Sequence, residues 1–134
     1  MKTIIYAIPL AFAFSCGGSD QKSQMLIEAN QLHLESVSIA GKLEKSLDSL
    51  AEHASAAEKV RLDSLAHLVE LWEESVIEVP GFEHAHEHAE GHTHKPAPQM
   101  TDESMLEYQR NAKDAIESIS AQLRRNSQRL KSEK

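Results

Sequence analysis

The sequence contains a single cysteine, Cys16, in 134 residues. A lone thiol excludes an intramolecular disulfide and a metal site built from several cysteines. Aromatic residues are almost as scarce, at 4% of the chain. Beyond Cys16 only Trp72, Phe82 and Tyr108 remain. A domain this poor in large side chains buries a modest core and leaves little room for a deep substrate pocket. Glycine and proline are few: Pro9 stands near the N-terminus, Gly17 and Gly18 follow the cysteine, Gly41 is isolated, and Pro80, Gly81, Gly91, Pro96 and Pro98 fall in one short stretch. Positive charge is in deficit as well, with 14 Lys and Arg against 21 Asp and Glu and a net charge of −7. That balance argues against nucleic acid as a partner, because phosphate binding needs a net basic surface, and it is compatible with binding cations.

What is present begins with an export signal. Lys2 precedes an apolar run from Thr3 to Phe14. The run is too short to cross a bilayer core, which takes about 20 helical residues, so it reads as the apolar region of a signal peptide. The segment Ala13-Phe14-Ser15-Cys16-Gly17-Gly18-Ser19-Asp20 resembles a bacterial lipobox, although Ala13 stands where leucine is commonest. In that reading residues 1–15 are removed, Cys16 carries diacylglycerol, and residues 16–22 form the tether. The bland alternative is an exported chain with a leftover thiol; lipidation accounts for the odd cysteine directly. The remaining 119 residues suit one small domain, and loss of Lys2 takes the net charge to −8.

Three amphipathic stripes follow. From about Gln21 to His53, apolar or small residues recur at Leu32, Ser36, Ile39, Leu43, Leu47, Leu50 and Ala54, the three-and-four spacing of one helix face. A second stripe runs Leu62, Leu65, Val69, Trp72, Val76 and Val79 in a different phase. Between them Ser55-Ala56-Ala57-Glu58 has the form of a capping box, which places a tight turn near residue 54. One long helix with a stutter is the alternative, since neither Gly nor Pro forces the break. Pro80 and Gly81 end the second helix. The third begins at Thr101, an N-cap residue followed by Asp102 and Glu103, and its stripe is Met105, Tyr108, Ala112, Ala115, Ile119, Leu123 and Leu130. Arg124, Arg125, Arg129 and Lys131 fill its last turns, where cations complement the helix dipole. The expected fold is all-α, an up-down-up three-helix bundle: residues 23–134 form an antiparallel helical hairpin plus a third helix, with a His-rich loop over about 80–100 between helices 2 and 3.

That loop carries the chemistry. Five of the eight histidines, His84, His86, His88, His92 and His94, fall within eleven residues, interleaved with Glu87 and Glu90 and preceded by Glu83. Imidazole suits Zn, Cu and Ni, and carboxylates add oxygen ligands. In a flexible loop, His-x-His lets neighbouring donors reach one ion; in a helical turn, His84 and His88 share a face, as do Glu83 and Glu87. The pattern is strong for metal affinity and weak for metal identity, and a passive polar linker is its bland reading. His53 and His67 read as surface residues. His33 lies where the folded-back helices meet the loop end of the bundle, opposite about residue 75 with Met105 level with Val76. It is a candidate additional ligand, with a helix-flank histidine as the plainer reading. No phosphate loop, nucleophile–base pair or paired carboxylates in a pocket can be read, so an enzyme is not expected.

The lipobox at Cys16, Leu32-His33-x-Glu35, the run from Trp72 to Gly81, the His tract and Met105-Leu106-Glu107-Tyr108-Gln109 together resemble a group of small helical lipoproteins from Bacteroidetes-type Gram-negative bacteria, which carry a His-rich loop before the last helix and have no established activity. The loop alone is similar in composition to the His-rich loops of zinc transporters and zinc-binding periplasmic proteins. Gly17 after the acylated cysteine is not an inner-membrane retention signal, so the resemblance implies the outer membrane. The expectation is a lipid-anchored protein that binds divalent metal, Zn first and Cu or Ni second, as a buffer or donor. The rival is an envelope adaptor whose helices bind a protein partner while the His loop is incidental.

Overall fold

The computed structural model describes residues 23–82 and 97–132, with side chains of the last helix described as far as Arg129. Three helices account for nearly all of them: α1 (Gln24–Ala51), α2 (Ala56–Ser75) and α3 (Asp102–Ser132). At 1.5 Å per residue they run for roughly 42, 30 and 46 Å.

Local sequence sets the ends. The Ser23 side chain accepts from the Leu26 amide and caps α1. Ser55 and Glu58 form the expected capping box: Ser55 Oγ accepts from the Glu58 amide while the Glu58 carboxylate accepts from the Ser55 amide. With two orphan donors satisfied in this way, the chain breaks between Ala51 and Ala56 and the single long helix is excluded. Thr101 Oγ1 accepts from the Ser104 amide and starts α3, with Asp102 and Glu103 in its first turn. α2 stops earlier than the Pro80–Gly81 signal implies. Val76 is already extended, at φ −65° and ψ 137°, so Val76 to Val79 leave the helix while still burying Val76, Ile77 and Val79. Two β-branched residues followed two positions later by one preceding proline favour that extended exit.

Contacts between helices give the directions. Glu28 pairs with Arg110 and Glu35 with Lys113, so residue numbers rise together on α1 and α3, which therefore run parallel. Trp72 Nε1 donates to the Ala112 carbonyl and Tyr108 Oη to the Ser75 carbonyl, so numbers fall on α2 as they rise on α3. The bundle is up-down-up, and its most extensive interface is between α1 and α3.

The interior has two apolar clusters. The larger, at the α1–α2 turn side, joins Ala40, Leu43 and Leu47 with Leu62, Leu65, Val69, Trp72 and Val76, and with Ile116, Ile119 and Leu123. The smaller joins Ala29, Ile77, Val79, Met105 and Leu106 at the opposite side, packed by half-buried Leu26, Leu32, Phe82, Ala97, Met100 and Tyr108. Each fully buried Leu, Ile, Val or Met contributes about 1.5–3 kcal/mol by area removed from water.

Two stripes are rotated from those read in the sequence. The centre of the α1 core passes through Ala29, His33, Ser36, Ala40, Leu43 and Leu47, leaving Leu32, Ile39 and Leu50 half-buried along one edge. On α3 the buried line is Met105, Gln109, Ile116, Ile119 and Leu123, with Ala112 half-buried and Ala115 exposed. Ile116 takes the place expected for Ala115 because adjacent positions lie about 100° apart and the larger side chain gains more by facing α1 and α2.

Candidate functional site

Cys16 and the eight residues singled out in the His-rich segment, Glu83, His84, His86, Glu87, His88, Glu90, His92 and His94, lie outside the described residues. What is described is the frame on either side of the His-rich segment. On the entering side Val79 is buried, the Phe82 amide donates to the Val79 carbonyl at 3.1 Å, and Gly81 has φ 77°. That left-handed angle favours glycine and makes Gly81 the residue that permits the turn. On the leaving side Ala97 and Met100 pack onto the same small cluster as Phe82. Both ends of the segment are thus held by one apolar patch at one end of the bundle.

The electrostatics of that end are one-sided. Glu70, Glu74 and Glu78 come from α2 and its exit, Asp102, Glu103 and Glu107 from the start of α3, and Glu28 from α1, while among the described residues Arg110 and Lys113 are the cations at that level. The opposite end carries Lys42, Lys45, Lys59, Arg61, Arg124, Arg125 and Arg129 interspersed with fewer acids. Summed charges of one sign raise the local concentration of counter-ions, here cations, over the surface that bears them. Among the described residues no group of three or more His, Cys, Asp and Glu side chains is placed to hold a metal ion.

Between the two apolar clusters lies a layer that apolar periodicity does not reveal: Asn30, His33 and Ser36 from α1, Glu73 from α2 and Gln109 from α3 are all buried. Ser36 Oγ donates to the Leu32 carbonyl at 2.7 Å, and Gln109 Nε2 donates to the Ile77 carbonyl at 2.8 Å. The second bond ties α3 to the extended exit of α2. His33 is not on a helix flank; its exposure is 0%. Its burial departs from the expectation, because a polar residue at an apolar position is invisible to a count of hydrophobic side chains. His53 is exposed, and His67 is exposed with a 3.3 Å contact to Glu70, as expected of surface residues.

Two groups at the rim of the layer have perturbed titration. Burial pushes the Tyr108 phenol up from its ordinary value, against the opposing effect of the Ile77 backbone. The hydrogen bond to Glu35 holds the Lys113 ammonium above its usual range, against a smaller desolvation effect and with help from the charges of Glu35, Glu117 and Asp114. Neither forms a nucleophile or general-base arrangement. A shallow cleft of about 470 Å³ lies between α1 and α3, lined by Leu34, Glu35, Ser38, Ile39, Lys42, Lys113 and Glu117. Its cation Lys113 is already engaged by Glu35 and Glu117. No helix among the described residues is long and apolar enough to cross a membrane.

No family model, curated protein or solved structure matches the chain.

Proposed function

We propose that the protein is a lipid-anchored component of a bacterial envelope, held through Cys16 in the outer membrane, whose His-rich segment captures a divalent transition metal as a buffer or as a donor to another envelope protein. Zinc is the first choice and copper or nickel the second, since imidazole and carboxylate donors suit all three. The observation that carries the reading is the sequence His84-Ala85-His86-Glu87-His88-Ala89-Glu90-Gly91-His92-Thr93-His94. The acidic surface around its points of attachment supports it, by drawing cations toward that end of the bundle. His84, His86, His88, His92 and His94 are the proposed nitrogen ligands, with Glu83, Glu87 and Glu90 as oxygen donors. The bundle acts as a scaffold and no catalytic step is assigned to it.

A second reading, an envelope adaptor, is favoured by one feature of the described residues: the exposed hydrophobic side chains Val60, Leu68 and Leu71 on α2. Cells decide between the two. Replacing the five loop histidines with glutamine should produce a growth or metal-content defect under zinc limitation or excess if metal handling is the role. An unchanged phenotype, with the protein present at normal abundance, supports the adaptor. The anchor is tested separately. Cys16→Ser should abolish lipid labelling and leave an uncleaved precursor, and unchanged maturation and labelling would exclude acylation at Cys16.

A further inference from the structure

The start of α1, the exit of α2 and the start of α3 lie at one end of the bundle. Leu26, Phe82, Ala97 and Met100 all pack on the apolar cluster of Ala29, Ile77, Val79, Met105 and Leu106. Ser23, the cap of α1, stands three residues before Leu26. The chain therefore enters α1 on the same side on which it leaves and re-enters the bundle around the His-rich segment. The α1–α2 turn is at the other end, roughly 42 Å away along α1.

Chain length turns that arrangement into an orientation. Seven peptide steps separate Cys16 from Ser23. A fully extended chain covers at most about 3.6 Å per step, or about 25 Å in all. On the reading that Cys16 is acylated, on which this inference rests, Ser23 stays within about 25 Å of the lipid surface. A bundle standing on its turn end would hold Ser23 at about 42 Å, beyond that reach. Tilting moves the turn end over a wide range of heights, whereas the segment end stays close to the lipid throughout. His88 is six residues from Phe82. That is a further reach of about 20 Å, enough to bring the histidines back to the surface.

We propose that the segment end of the bundle faces the membrane and that the His-rich segment exchanges its metal with a protein embedded in that same membrane. Two physical effects favour this partner over a soluble carrier. A partner confined to the same membrane shares a thin layer with the segment, which raises its effective concentration without any added contact. The carboxylates of Glu74, Glu78, Glu103 and Glu107 at the segment end would also lie over lipid phosphates. Two negative surfaces facing each other concentrate cations in the gap between them.

The acylated chain, reconstituted in vesicles of phosphatidylethanolamine and phosphatidylglycerol, tests the orientation. With Cys16 blocked by lipid, an introduced thiol is the only one. A fluorophore on Glu103→Cys, at the segment end, should transfer energy to acceptor-labelled headgroups several-fold more efficiently than one on His53→Cys, at the turn; both positions are exposed. Inserting about 20 Gly and Ser residues after Asp20 lengthens the tether beyond the bundle and should narrow that difference. The exchange partner is tested with zinc-loaded protein and a nitrilotriacetate chelator, either carried on a lipid headgroup in the same vesicle or dissolved. Transfer to the lipid-borne chelator should be faster from the wild type than from the lengthened variant, with equal rates to the dissolved one. Equal or stronger energy transfer from His53→Cys would overturn the orientation, and an unchanged rate to the lipid-borne chelator would overturn the embedded partner. Mass spectrometry of the reconstituted chain reads the acyl group and the bound zinc beforehand. Absence of either overturns the anchor or the metal reading, and this inference with it, whereas an acylated, zinc-loaded chain that fails the two measurements overturns this inference alone.

Discussion

The two apolar clusters of the bundle are built differently. The turn-side cluster takes nearly all of its members from the three helices and is centred on Trp72, whose indole N–H reaches the Ala112 carbonyl at 2.8 Å. The loop-side cluster is less than half as rich in buried residues. It depends on Ile77 and Val79 from the extended exit of α2, and it is closed by Phe82, Ala97 and Met100, the residues that frame the His-rich segment. The first cluster rests on helix periodicity and holds the fold. The second adds non-helical chain, Ile77 and Val79, to Ala29, Met105 and Leu106 from α1 and α3, and the residues that flank the His-rich segment pack on it. In the proposed function, stability and metal capture draw on opposite sides of the molecule, separated by the buried layer of Asn30, His33, Ser36, Glu73 and Gln109.

The largest expected effect breaks the turn-side cluster. Trp72→Ala removes the only tryptophan and a bond between α2 and α3, and should destabilise the chain by about 3–5 kcal/mol in urea unfolding followed by circular dichroism. Met105→Ala, in the loop-side cluster, should cost toward the lower part of the roughly 2–5 kcal/mol range for Met truncation, because the neighbouring non-helical chain can settle into the space. A Met105→Ala loss equal to that of Trp72→Ala would show that the two sides contribute alike.

The same comparison explains how much was legible beforehand. The turn-side architecture follows from residue patterns: Leu43, Leu47, Leu62, Leu65, Val69 and Trp72 are apolar at helical spacing, and the Ser55–Glu58 box marks the break between helices. The loop side resisted because its determinants are not periodic. Ile77 is buried after the helix has ended, where helical phase no longer applies. His33 and Gln109 are polar side chains in the interior, and only packing of three helices around them reveals their burial. Ala115 and Ile116 are adjacent and both apolar, and the choice between them depends on the direction from which α1 approaches. The proposed ligands were legible only as chemistry, from the density of imidazoles in the sequence.

The smallest expected effect sharpens the account of α1. Gly41 lies within the helix, and a methyl group added there would meet nothing within 4 Å. Gly41→Ala should therefore stabilise the chain by about 0.5–1 kcal/mol, through lower entropy of the unfolded state and better helix propensity. A rise in the urea midpoint with an unchanged slope is the expected signature, and a fall would mean that α1 needs flexibility at this point.

The central claim is that the loop-side end carries a metal-binding segment on a fold that needs no metal. Calorimetric titration of zinc into the chain from Ser19 onward, at neutral pH and again below the ordinary imidazole pKa of about 6.5, tests it most directly. Binding at neutral pH that weakens as imidazoles gain protons, and that is lost in the variant with His84, His86, His88, His92 and His94 replaced by glutamine while its helical signal is preserved, is the predicted result. Heats no larger than those of a His-free control protein, or a chain that becomes helical only when zinc is added, would contradict it.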